Sequence, residues 1–98
     1  MIRREPFPDG SRVRVTFACP GGPWVDWLAV IGDFNGWDPR AAPLLFSRDG
    51  EIRSTTVELS AGRRYQFAYL ADGVRCLEPE ADGVALDAPG GPASLLIT

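Results

Sequence analysis

Val30-Ile31-Gly32-Asp33-Phe34-Asn35-Gly36-Trp37-Asp38-Pro39 is the stretch whose reading decides the fold. An apolar run meets a glycine, then an Asn-Gly pair and a proline, so an extended segment must stop here and turn. Upstream, Leu28, Val30, Gly32 and Phe34 alternate with Trp27, Ala29, Ile31 and Asp33. Both alternating sets are largely apolar, which predicts a strand over 25–34 with little wet surface. The turn itself carries an indole, Trp37, in polar company.

Similar punctuation recurs along the chain. Val13, Val15 and Phe17 alternate with Arg14 and Thr16, predicting a first strand over 12–19 with one buried face, ended by Pro20-Gly21-Gly22-Pro23. A short strand over 44–47 is expected before Arg48-Asp49-Gly50, followed by one over 52–59 that Ser60-Ala61-Gly62 closes. Over 63–71, Tyr65, Phe67, Tyr69 and Ala71 share one face while Arg64, Gln66, Ala68 and Leu70 share the other. Asp72-Gly73 is a tight hairpin signal leading into 74–77, and the final strand is expected over 93–98. The continuous Leu95-Leu96-Ile97 run suggests burial on both faces or pairing at an edge. The expectation is an all-β, immunoglobulin-like two-sheet sandwich of about seven strands, with residues 1–98 forming one domain.

Composition narrows the function. The net charge is −3 and all ten cationic side chains are scattered arginines, so no basic stripe exists to neutralise phosphates and a nucleic-acid role is disfavoured. No apolar run approaches the ~20 residues of a membrane-spanning helix. Arg3 and Arg4 are followed by Glu5, Pro6, Pro8 and Asp9 where a secretory signal would be apolar, so the expected compartment is the cytoplasm. Cys19 and Cys76 are then expected as free thiols packed like small hydrophobes.

Catalysis finds little support. Without histidine, Ser-His and Cys-His arrangements are unavailable. Asp9, Asp49, Asp72 and Asp82 each precede a glycine, the placement of turn-building acids rather than of paired glycosidase carboxylates. Asp33, Asn35 and Asp38 lack the remaining ligands of a calcium loop, so neither metal nor cofactor is expected. Binding is better served: a pyranose offers C–H groups to an aromatic face while its hydroxyls seek polar side chains. Trp37 suits such a platform, the competing reading being an indole folded back as a lid on the core.

The turn sequence Gly32-Asp33-Phe34-Asn35-Gly36-Trp37, with Tyr65-Gln66-Phe67-Ala68-Tyr69 and Asp72-Gly73 after it, resembles the glycogen- and starch-binding modules of isoamylases, branching enzymes and the AMP-activated kinase β subunit, known as family 48 carbohydrate-binding modules. The resemblance covers about residues 13–98 and implies a non-catalytic sandwich that stacks Trp37 on glucose. In the kinase modules a Lys, a second Trp and an Asn complete the site; here Ala68 and Arg75 stand at or near the first two places and Pro92-Ala93-Ser94 offers no clear match for the third. Candidate hydroxyl partners are therefore Asn35, Gln66 and Arg75, with Trp24 as a substitute platform. The expected ligand is an α-glucan such as glycogen or starch. The alternative is a docking module related to the N-terminal domain of family 13 glycoside hydrolases, covering an outward apolar patch of Trp27, Ala29, Ile31, Ala68 and Leu70 with a glycogen-metabolising enzyme or a second copy.

Overall fold

A computed structural model describes residues 1–21 and 25–98. Among these residues there is no helix, and nine strands are found: β1 (Ile2–Pro6), β2 (Arg12–Pro20), β3 (Leu28–Gly32), β4 (Leu45–Phe46), β5 (Ile52–Ser60), β6 (Arg64–Ala71), β7 (Val74–Cys76), β8 (Gly83–Ala85) and β9 (Ala93–Ile97). One antiparallel sheet has the order β1-β2-β5-β4; the other runs β3-β6-β9-β8, with β7 also paired to β6. The chain is an all-β two-sheet sandwich.

Alternation sets the interior. Val13, Val15 and Phe17 are buried on β2 and meet β5 in the register Val13↔Leu59 and Val15↔Val57. From the facing sheet come Val30, Phe67, Tyr69 and Leu96. Phe17 stands at the centre, its ring centroid 4.9 Å from that of Phe67 and 6.4 Å from that of Tyr69. Burying each such side chain contributes roughly 1.5–3 kcal/mol, so this face of β6 is a principal source of stability.

Several expectations need correction. The strand expected over 25–34 is shortened to Leu28–Gly32, because Asp26 and Trp27 give their N–H groups to the Asp72 carboxylate and Asp33 enters the turn. Nine strands replace seven: β1 was hidden by charge, as an edge strand with one apolar side chain can be, and β8 is three residues long. β9 is not an edge, since it lies between β6 and β8. Cys76 is exposed rather than packed, and Cys19 is half-buried; both are free thiols.

The largest correction concerns the outward face of β3 and β6. Ala29, Ile31 and Ala68 are buried although they lie outside the cluster between the sheets, Leu70 is half-buried, and only Trp27 stays open at 45% exposure. Among the described residues no bare apolar patch exists there. Residues 42–44 also run along the free edge of β3: Val30 N–H donates to Ala42 O at 3.0 Å and Leu44 N–H to Leu28 O at 2.8 Å. That edge is thereby closed to strand addition.

Candidate carbohydrate-binding face

The outward side of β3 and β6 is framed by a turn at one end and a hairpin at the other. At the turn, Asp33 N–H donates to Gln66 O at 3.1 Å and the Asp33 carboxylate accepts Gln66 N–H at 3.2 Å. Gly32 is required by close approach, since a Cβ there would lie 2.6 Å from the Phe34 ring and 2.7 Å from Gln66 O. Asn35 builds the bend: its Oδ1 accepts Gly32 N–H at 3.0 Å and its Nδ2 donates to Val30 O at 3.1 Å.

Trp37 follows with φ 59°, a left-handed conformation that a large side chain adopts at a cost of roughly 1–2 kcal/mol. Its N–H donates to Gly32 O at 2.8 Å, which fixes the backbone there. The indole then reaches Arg75, whose guanidinium carbon lies 5.2 Å from the ring centroid. Gly32 pairs with Phe67 at one end of the strand pair, whereas Arg75 pairs with Leu70, itself opposite Ala29, at the other. Ile31 and Ala68 form the row between these two ends, and both are buried.

Arg75 is as constrained as the ring it covers. Nη1 donates to Gly91 O at 3.0 Å and Pro92 O at 3.3 Å, and Nη2 to Pro89 O at 2.6 Å. Gln66 lies on the same outward face by alternation with Ala68 and Leu70, and among the described residues its amide has no hydrogen bond. The structure thus brings Trp37 and Arg75 together and leaves Gln66 on the same face. Asn35 and Arg75 both spend their side chains on backbone groups. Trp24 lies outside the described residues.

For three contributors, sequence reasoning did not show the contacts they make. Trp27 Nε1 donates to Pro39 O at 3.1 Å and steadies the loop beyond Trp37. Asp72, at φ 47°, accepts Asp26 and Trp27 N–H groups, at 2.8 Å for the latter; the bonds from Trp27 and then Asp26 hold its carboxyl below the ordinary range. The third is the Pro89-Gly90-Gly91-Pro92 loop, whose composition was a visible signal of a tight backbone shape without showing which side chain it receives.

A cleft of about 500 Å³ opens elsewhere, lined by Cys19, Leu28, Tyr69, Cys76 and Glu78 among others. Tyr69 donates to Glu78 Oε1 at 2.9 Å, Met1 N donates to the same oxygen, and Glu80 N–H donates to Oε2. Burial alone would push the Glu78 carboxyl up, but these bonds outweigh it and the net displacement is downward. Burial first, then Cys19 and Glu78 nearby, push the Tyr69 hydroxyl far above its usual range. A carboxylate so fully hydrogen-bonded serves structure better than proton transfer. Among the described residues no group of three or more His, Cys, Asp or Glu can hold a metal ion, and no helix is long and apolar enough to cross a membrane.

Fold and face together define a two-sheet β-sandwich that presents an aromatic side chain on one sheet. Over 96 residues the chain is 37% identical to the 1,4-alpha-glucan branching enzyme GlgB of Burkholderia pseudomallei (strain 668), covering 89% of this chain and 13% of that enzyme. It is also 37% identical over 73 residues to GlgB 2 of Xanthomonas campestris pv. campestris (strain 8004), and 31% identical over 71 residues to GlgB 2 of Rhizobium etli. Those alignments cover 74% and 71% of this chain and 10% of each enzyme. The chain thus spans a small part of the curated relatives it matches. No family profile matches it.

Proposed function

We propose that this chain is a single non-catalytic module of the family 48 carbohydrate-binding kind, recognising α-glucan on the outward face of β3 and β6. The observation that carries the reading is Trp37: a large aromatic held at φ 59°, half-exposed and outside the core between the sheets. Strained backbone around a presented side chain is a feature of ligand sites. Similarity to part of three α-glucan branching enzymes supports the ligand class.

In this reading Trp37 supplies the stacking surface and Gln66 the hydroxyl partner, while Asn35 shapes the turn that presents the ring. With one platform and one amide, affinity is weak. Electrophoresis through gels with and without glycogen tests it: the wild-type chain is retarded by glycogen, and Trp37→Ala is not. Equal mobility of the wild type in both gels would overturn the glucan reading.

A docking role is favoured by a different surface. On the β4–β5 hairpin Leu45 and Ile52 are exposed on one face and Phe46 on the other, with Arg53 stacked 4.1 Å over the Phe46 ring. Because the chain matches only a small part of whole branching enzymes, a glucan-processing catalytic domain is the partner in that alternative. Retention of the chain on an immobilised branching enzyme, lost on Phe46→Glu and kept by Trp37→Ala, would favour it.

A further inference from the structure

Resting on the glucan reading, we infer that Arg75 is a positioning residue for Trp37, holding the indole flat so that one ring face is left for sugar. A cation over an indole is attracted by the ring's negative face, and a planar guanidinium can stack there while its edges donate. Arg75 does both: it lies 5.2 Å from the Trp37 centroid and binds the carbonyls of Pro89, Gly91 and Pro92. The loop is shaped for it. Gly90 has φ +81°, and a Cβ at that position would stand 2.9 Å from Arg75 Nη2. On the other side, β7 is pinned to β6 through Leu70↔Arg75.

Three segments far apart in sequence, the 33–38 turn, β7 and the 89–92 loop, therefore meet at one guanidinium. A ring anchored only by its backbone at Gly32 would sample several rotamers, and each sugar-binding event would have to stop that motion. With Arg75 in place the ring is ordered beforehand. The same contact covers one side of the indole, so the platform is one-sided and accepts a single layer of pyranose rings laid against the remaining face. Arg75 acts through Trp37 and need not touch the sugar.

The test uses the full chain, with glycogen retardation read in the wild-type background and quenching in a background carrying Trp24→Phe and Trp27→Phe, so that emission reports Trp37 alone. Arg75→Met keeps most of the aliphatic stem and removes the donors and the charge, and it should raise acrylamide quenching of Trp37 about twofold and weaken retardation by glycogen about fivefold, within what one cation–π contact supplies. Arg75→Lys should recover part of both, because an ammonium keeps the charge but cannot bridge three carbonyls while lying flat. Unchanged quenching in Arg75→Met, or unchanged glycogen retardation, would overturn the positioning role while leaving the glucan reading intact. If the wild-type chain shows no retardation, the glucan reading fails first and the positioning role fails with it. Loss of the cooperative melt in both variants would make Arg75 a structural residue and also overturn the inference.

Discussion

The two faces of β6 solve opposite problems with the same strand. Inward, Phe67 and Tyr69 are buried with Phe17 and Leu96 in one aromatic and aliphatic cluster. Outward, Ala68 is equally buried, yet the same side of the molecule presents Trp37, a half-exposed indole with the Arg75 guanidinium over its ring. One face is closed by packing from a second sheet, whereas the other carries side chains that remain partly in water. Burial alone therefore does not distinguish a core from a presented surface; what lies on top does.

The sharpest way to break this contrast is to delete a ring from each side. Phe67→Ala should cost about 3–5 kcal/mol, the range for emptying a large aromatic site in a sealed interior, read from the urea midpoint. Trp37→Ala should cost roughly 1–2 kcal/mol, less because its site opens to solvent and collapses easily. Equal losses would mean that Trp37 is interior in energetic terms. Trp37→Gly should recover about 1 kcal/mol relative to Trp37→Ala, since glycine adopts the left-handed backbone without strain. A glycine variant less stable than the alanine one would show that the observed φ carries no cost.

A smaller effect separates the frames of the two faces by pH. Asp72 and Glu78 both have carboxyls held below their ordinary values of 3.8 and 4.5. A depressed folded-state pKa adds stability that is present above the unfolded value and is lost as pH falls through the folded one. Melting temperature should thus be flat between about pH 5 and about pH 8 and fall progressively below that window. Asp72→Asn should flatten part of that acid limb while Glu78→Gln flattens another part; an acid limb unchanged by both would place its origin elsewhere. The smallest expected effect is none: incubation with glycogen or maltooligosaccharides should release no reducing ends above a heat-treated control. Release removed by one Asp→Asn or Glu→Gln change would make the chain an enzyme.

The inward face was legible because it is periodic. Val13, Val15 and Phe17, and Tyr65, Phe67 and Tyr69, announce their strands and their buried side by alternation alone, and Asp72-Gly73 announces its turn. The outward face was not. β6 was placed correctly and β3 was drawn too long at both ends, and alternation says only that Ile31 and Ala68 point away from the other sheet, not what covers them. Trp37 stood out by residue type and setting, whereas the role of Arg75 depends on meeting both Trp37 and the 89–92 loop, contacts that no local pattern encodes. β1 escaped for a related reason: Arg3, Arg4 and Glu5 read as solvent-exposed chain, which an edge strand is on most of its surface.

The change of partner along β6 has a consequence in time rather than in space. Its residues 64–67 pair with β9 and its residues 69–71 with β7, while β3 holds the opposite edge. Opening the β7 hairpin would release Arg75 without unzipping β9, and fraying β9 at Ile97 would leave the Trp37 turn in place. Amide exchange should then show the hairpin and the C-terminal strand as separate, faster units on either side of slowly exchanging protons near Phe67, so the presented face can loosen and re-form many times within the lifetime of one folded molecule.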